Sequence, residues 1–183
     1  MYHIPNDKRA KRSAQRLCQG LLDCLETKAL SDITVSDLHQ VSGVSRATFY
    51  RLFDTVNDVV TYQCDRLYDS LAEEALRNPR ASFETLCVAL IAQWIRLPKL
   101  MEALLKNNMI GLLLQAHTRH GAVLRQLAAG TEELTPTEET YLLCTMVGLL
   151  PTMMQAWYLN GQKDTPEEIY RHFRRCVRLL DQM

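Results

Sequence analysis

The sequence predicts an all-α protein. Apolar residues recur at helical spacing in almost every segment, as they do at Ala14, Leu17, Leu21 and Leu25. No segment shows the alternation of apolar and polar residues that is typical of a strand. Capping boxes are frequent, and Thr34-Val35-Ser36-Asp37 is one example. Together these observations favour a protein built only from helices.

Start signals and breakers divide the chain into about nine helices. A Thr or Ser that can cap a helix precedes residues 35, 46, 56, 136 and 166, and Pro occupies the first helical position in the last two. Gly43, Asn78-Pro79, Gly130 and Asn160-Gly161 suit the turns between helices. The predicted helices span residues 8–28, 35–41, 45–52, 56–77, 82–96, 98–106, 108–129, 136–160 and 166–181.

The composition excludes several classes of protein. The 183 residues are 47% hydrophobic, which favours a globular chain, and no apolar run approaches the roughly 18 residues of a membrane span. Six cysteines form no Cys-x-x-Cys pair and the N-terminus is polar and basic, so we expect reduced thiols in a cytoplasmic protein. No catalytic motif or phosphate loop is present, and His117 with His120 has no third ligand nearby. We therefore expect no enzyme, no cofactor and no metal site.

Two very short helices, 35–41 and 45–52, are joined by a Val-Ser-Gly-Val turn. A helix of this length is unstable alone in water, so both must dock on the rest of the domain. We expect the docking residues to be Val35, Leu38, Val41, Val44, Phe49 and Phe53. This pattern predicts a helix-turn-helix over residues 34–53, in an N-terminal domain 1–55 followed by a second domain 56–183. The alternative is a helical hairpin with a solvated basic tail.

The second short helix has the residues of a DNA-reading helix, which enters the major groove by its N-terminal end. Its first turn carries Ser45, Arg46, Ala47 and Thr48, small or forked side chains that suit base edges and thymine methyls. Tyr50 and Arg51 follow, and we expect Tyr50 to point outward to a phosphate. A helix N-terminus favours anions, so Thr34 is a further candidate for a phosphate contact.

A basic cluster precedes the first helix. It consists of Lys8, Arg9, Lys11 and Arg12, followed by Arg16, in a chain whose formal net charge is +0. Any attraction to DNA must therefore be local. We expect these residues to act as a mobile arm that contacts the DNA backbone or the minor groove.

The segment from Lys8 to Asp65 resembles the DNA-binding domain of the TetR family of regulators. The matching pattern is I-T-V-x-D-L at 33–38 and S-G-V-S-R-A-T-F-Y-R-L-F at 42–53. The resemblance implies a homodimer, a palindromic DNA operator and a small-molecule effector, with DNA contacts from Thr34, Ser45, Arg46, Thr48, Tyr50 and Arg51. Thr55-Val56 stands where the family often has Ser-Lys, so one phosphate contact is missing. The rest of the chain resembles the family only in layout.

The second domain offers candidates for an effector pocket and a dimer interface. The predicted pocket, for a small apolar molecule, is lined by Tyr62, Trp94, Met101, Met109, Leu113, His117 and Met146, although such residues also suit a plain core. In helix 136–160 a stripe of mainly small residues runs from Tyr141 to Ala156, opposite a row of larger apolar residues. The predicted interface uses that row and the last helix: Leu143, Val147, Leu150, Met154, Tyr158, Ile169, Phe173, Val177 and Leu180.

These observations predict a homodimeric, sequence-specific DNA-binding repressor that responds to a small molecule. One alternative is a co-regulator of the same fold that answers to a partner protein instead. A small-molecule binding protein or enzyme on a helical scaffold is a third hypothesis, and the intact reading helix disfavours it.

Overall fold

A computed structural model of the chain describes residues 1–78, 81–120 and 134–182. Within these ranges lie nine α-helices, one 3-10 helix and no strand, so the predicted all-α class is confirmed. The helices are α1 (Lys8–Leu25), α2 (Val35–Ser42), α3 (Arg46–Leu52), α4 (Val56–Arg77), α5 (Phe83–Ile95), α6 (Pro98–Lys106), α7 (Ile110–Arg119), α8 (Pro136–Leu159) and α9 (Pro166–Leu180). The 3-10 helix is Leu30–Asp32.

The helix boundaries follow the local start and stop signals. The predicted capping boxes are present at Thr34, Thr135 and Thr165. The first helix is shorter than predicted, because the chain leaves it after Leu25 to bury Leu30 in the 3-10 helix. The predicted helix 108–129 begins at Ile110, and its part beyond residue 120 lies outside the described residues.

Helices α1, α2 and α3 form the helix-turn-helix unit. Gly43 ends α2 in the left-handed conformation (φ +65°), which costs a glycine little. The Ser42 hydroxyl donates to the Leu38 carbonyl at 2.5 Å and accepts from the Val44 N–H at 3.1 Å, which fixes the turn. Gly20 of α1 lies so close to α2 that a Cβ there would be 3.1 Å from Ser42 Cβ.

The core is continuous from this unit into the following helices. Buried Val59, Val60 and Cys64 line α4, which packs against α1 on one side and against α5 and α7 on the other. Helix α5 packs on α9, and α7 packs on α8. Of the described helices, none has the length and apolar character to cross a membrane.

Candidate nucleic-acid interface

The first turn of α3 is accessible. Ser45 caps the helix by accepting from the Thr48 N–H at 3.2 Å, and its hydroxyl donates to Thr48 Oγ1 at 3.0 Å. Ala47 is exposed beside it, whereas Thr48 is half-buried. Small side chains at this end therefore leave the helix free to approach another surface closely.

Two larger side chains of α3, Arg46 and Tyr50, contact other residues of the helix-turn-helix unit. Arg46 donates from Nη2 to Ser36 Oγ at 2.7 Å, which ties the reading helix to the first turn of α2. The Tyr50 side chain is 59% exposed, as predicted, with its ring edge-on to the buried Phe49 at 5.3 Å between centroids. Its hydroxyl thus belongs to the surface rather than to the core.

Three arginines of α1 and one from the last turn of α3 share a groove beside α3. Arg9, Arg12 and Arg16 of α1 and Arg51 of α3 line a groove of about 770 Å³ together with Ser45 and Thr48. All four arginines are exposed, and none makes a hydrogen bond or an ion pair with any of the described residues. We call this the arginine groove. An unpaired cluster of guanidinium groups suits the planar, bidentate recognition of phosphate.

The prediction of a mobile basic arm is wrong. Asp7 caps α1 by accepting from the Ala10 N–H at 2.8 Å, so Lys8, Arg9, Lys11 and Arg12 all stand on the first turns of a helix. Lys11 donates to Asn6 at 2.8 Å, and neither lysine lines the arginine groove. Arg16, which follows this cluster in the sequence, lines the groove with Arg9 and Arg12, because the helical spacing of residues 9, 12 and 16 places them on one face.

The helix N-terminus at Thr34 is already filled by a carboxylate. The Thr34 hydroxyl donates to Asp37 Oδ2 at 2.8 Å, and Lys28 donates to Asp37 Oδ1 at 2.6 Å. The hydrogen bonds from Lys28 and then Thr34 lower the pKa of Asp37 to about 2. At α4, Asp58 similarly accepts from the Thr55 N–H at 2.8 Å. A phosphate would meet negative charge at both helix ends. The arginine groove also includes one carboxylate, that of Asp7, but it holds four guanidinium groups and is therefore the more favourable place.

The predicted effector residues divide into several groups. Trp94, Met101 and Leu113 are fully buried and Met109 is half-buried, whereas the side chains of His117 and Met146 lie outside the described residues. Tyr62 does not join them, because its ring packs on Tyr2 and Phe53 beside α3. The Trp94 indole N–H is buried without an acceptor in the described part of the chain. An unsatisfied donor of this kind suits a bound polar group or water.

The predicted dimer face needs correction. Met154 and Ile169 are buried inside the subunit, so they belong to its core and not to an interface. Val177 and Leu180 are exposed, Tyr158 and Phe173 are half-buried, and the side chains of Leu143, Val147 and Leu150 lie outside the described residues. The outer surface of α8 instead carries the small-residue stripe. The exposed members of this stripe are Tyr141, Cys144, Thr145, Thr152 and Ala156.

Helices α8 and α9 enclose a largely apolar groove beside this stripe. It measures about 450 Å³ and includes Thr152, Ala156, Phe173, Val177 and Leu180. Leu180 is 70% exposed at its end. We call the stripe and this groove together the α8–α9 face. Exposed apolar surface on two adjacent helices is typical of a protein interface.

Comparison with known proteins places the fold. The structure is similar to that of the dihydroxyacetone kinase operon activator DhaS, with a TM-score of 0.65, 14% sequence identity, and coverage of 93% of this chain and 95% of DhaS. It is also similar to a TetR transcriptional regulator from Streptococcus agalactiae, with a TM-score of 0.52, 19% identity, and coverage of 93% and 96%. No family model matches the chain, and no curated protein matches its sequence. The chain therefore has the all-helical fold of TetR-type transcription regulators.

Proposed function

We propose that the protein is a sequence-specific DNA-binding transcription regulator. The observation that carries this proposal is the arginine groove, in which four arginines without a partner among the described residues lie beside Ser45 and Thr48 of a short helix in a helix-turn-helix. Arginines in such a groove bind phosphates and fix the position of the protein, while Ser45, Arg46 and Thr48 read the bases. Arg51 and the Tyr50 hydroxyl would contact the backbone.

Salt titrations of paired variants test this division of labour. Sequencing genomic DNA captured by the purified protein supplies the operator, and a random duplex serves for comparison. Arg12→Ala with Arg16→Ala should weaken binding to both duplexes, and each lost phosphate contact should flatten the slope of log K against log salt by about 0.9. Thr48→Ala should weaken operator binding more than random binding, since a good base contact contributes roughly 1–3 kcal/mol of discrimination.

Arg96→Ala is the matched control, because it removes an exposed arginine between α5 and α6, outside the groove. Its binding curves should follow the wild type at every salt concentration. Equal loss for both duplexes in Thr48→Ala would contradict the assignment of α3 as the reader. If the wild-type protein bound all DNA sequences equally, the proposed function itself would be contradicted.

We further propose a homodimer formed through the α8–α9 face. A two-fold dimer presents two reading helices to half-sites about 34–36 Å apart, or a multiple of this, which suits a palindromic operator. The support is the stripe of small side chains with exposed Leu180 and Val177 beside it. Small residues allow two helices to approach closely, as they do in other tight helix pairs.

A glycine in the stripe offers a direct test of the dimer. A Cβ at Gly148 would meet no atom of the described residues within 4 Å, apart from its chain neighbours and its own helix backbone, and the same holds for Gly111 on α7. Gly148→Leu should therefore leave the subunit folded but convert the dimer to a monomer in sedimentation at micromolar concentration. Gly111→Leu should stay dimeric. A dimer that survives Gly148→Leu would exclude this face.

The proposed effector is a small, mainly apolar molecule with one hydrogen-bond acceptor. Trp94 supports this proposal, because an unsatisfied buried N–H costs about 1–3 kcal/mol that an acceptor on a ligand would recover. Repression is the sign of regulation that the resemblance favours, whereas DhaS is named as an activator. A reporter gene behind the captured operator, with and without the protein, decides the sign.

A further inference from the structure

The six residues ahead of Asp7, the N-terminal cap of α1, are docked on the helix-turn-helix unit, and we call residues 1–6 the N-terminal strap. Tyr2 forms an antiparallel bridge with Phe53, just past the end of α3. Its ring packs on Phe53 and Tyr62, with centroids 6.5 and 5.1 Å away. Ile4 packs against the core as well. The strap therefore adheres to the C-terminal end of the reading helix.

The strap completes the hydrogen bonding of α3. The last carbonyls of a helix have no partner within it, and a helix as short as Arg46–Leu52 has few internal bonds to spare. The His3 N–H donates to the Leu52 carbonyl at 2.7 Å. The reading helix is thus capped at one end by its own Ser45 and stabilised at the other by the strap.

A buried carboxylate joins the strap to α7. Asp65 of α4 is 3% exposed and accepts from the Tyr2 hydroxyl at 2.9 Å. Arg119, the last residue of α7, donates to the same carboxylate from Nε at 2.9 Å and from Nη2 at 2.7 and 2.8 Å. Both carboxylate oxygens are engaged, so displacing Arg119 would leave a buried charge without its counter-ion.

The neighbouring residue reinforces this end of α7. His120 Nε2 lies 2.8 Å from Asp69 Oδ1, and its ring stacks on Tyr68 with 5.8 Å between centroids. Asp65, Tyr68 and Asp69 lie at i, i+3 and i+4 on one face of α4. The end of α7 is therefore fixed to α4 at two adjacent points, and only the Arg119 contact extends to the strap.

We propose that Tyr2, Asp65 and Arg119 are positioning residues that transmit the placement of α7 to the reading helix α3 through the strap. The proposal rests on the proposed function only in that it identifies α3 as the reader of DNA. A bidentate pair is sensitive to small displacements, because both of its hydrogen bonds need the same planar alignment. A shift of α7 would thus weaken the hydrogen bond between Tyr2 and Asp65. The loss of that bond would in turn weaken the contacts of the strap with Leu52 and Phe53.

Amide hydrogen exchange without DNA tests the link on the full-length protein. Tyr2→Phe removes only the hydroxyl, and Arg119→Lys keeps the charge while losing the bidentate geometry. Each should raise the exchange rates of the Leu52 and Phe53 amides by about tenfold or more, as expected for the loss of a hydrogen bond to a charged group. The double variant should show no more than the larger single effect, since both changes act through Asp65.

Tyr62→Phe is the matched control, because Tyr62 lies in the same aromatic cluster and its hydroxyl makes no hydrogen bond with the described residues. Alone it should leave the α3 amides at their wild-type rates, and combined with Arg119→Lys it should leave them at the rates of Arg119→Lys alone. Amides of α5 give the change in global opening, so rates at α3 are taken relative to them. This ratio keeps the test valid if a variant is globally less stable.

Effects of Tyr2→Phe and Arg119→Lys that multiply independently would overturn the proposal, because α7 would then act on α3 by another route. An Arg119→Lys variant with unchanged α3 exchange would overturn it equally. Titration of the wild type, the Tyr2→Phe and Arg119→Lys variants and their double variant with the captured operator separates the two proposals. If the exchange effects were coupled but the protein showed no preference for the operator, the proposed role of the strap would stand and the proposed regulatory function would be refuted.

Discussion

Gly43→Ala probes the turn on which the helix-turn-helix unit depends. Gly43 has φ +65° and its N–H donates to the His39 carbonyl at 2.9 Å, so the residue closes α2 in a left-handed conformation. An L side chain there costs about 1–2 kcal/mol. The alanine also restricts the unfolded chain, which offsets about 0.4–1 kcal/mol of that cost. We expect a net loss of about 1 kcal/mol.

The added methyl has a second consequence, because it would lie 2.8 Å from Arg16 Nη2. The end of an arginine side chain moves easily, so this contact should cost little stability but shift Arg16 within the arginine groove. DNA affinity should therefore fall as well, for operator and random duplexes alike. In an Arg16→Gln background the stability loss should persist while the additional loss of affinity should disappear.

Thermal unfolding is the assay for stability, and a loss of 1 kcal/mol in a chain of this size lowers Tm by roughly 2–4 °C. Gly111→Ala is the control, since this glycine lies in a helix with open space around it and should stabilise the protein by about 0.5–1 kcal/mol. Equal Tm values for Gly43→Ala and the wild type would refute the conformational reasoning. A stability loss that vanishes with Arg16→Gln would identify the steric contact as the cause.

Three further predictions concern Asp37, the two tryptophans and Ser36. Asp37→Asn should lower the free energy of unfolding above about pH 4, and the difference from wild type should vanish as pH falls toward 2, because the folded-state pKa of Asp37 is depressed to about 2; urea titrations at several pH values measure this. Trp157→Phe loses the hydrogen bond to the Asp164 carbonyl, whereas Trp94→Phe removes a donor that has no acceptor among the described residues. In urea unfolding, Trp157→Phe should therefore lower the free energy of unfolding by about 1 kcal/mol more than Trp94→Phe does. Ser36→Ala releases Arg46, and operator titration should then show altered discrimination between bases with little change in random-duplex affinity.

Helix positions were predictable because they depend on local chemistry. Thr34, Thr135 and Thr165 each bond to the backbone three residues on, and Gly43 supplies the conformation that ends α2. These interactions lie within one turn of sequence. The reading helix could be located for the same reason, since Ser45 caps it.

Long-range contacts could not be predicted in the same way. The strap is fixed by Asp65, 63 residues from Tyr2, so a basic N-terminus alone gave no sign that the chain before α1 is docked. Helix periodicity identified apolar faces but not which one turns inward. Met154 was therefore assigned to an interface although it is buried, and Val41 was expected to dock although its side chain is 49% exposed.

Helix α4 limits how far this protein can be treated as modular. A chimera that joined residues 1–55 to a foreign effector domain would leave the core of α1 to α3 without Val59, Val60 and Cys64. Retaining α4 would restore that packing, but Asp65 would then be buried opposite a foreign helix that need not supply an arginine at the position of Arg119. Exchange of effector domains in this protein therefore requires transplanting α4 and α7 as a matched pair.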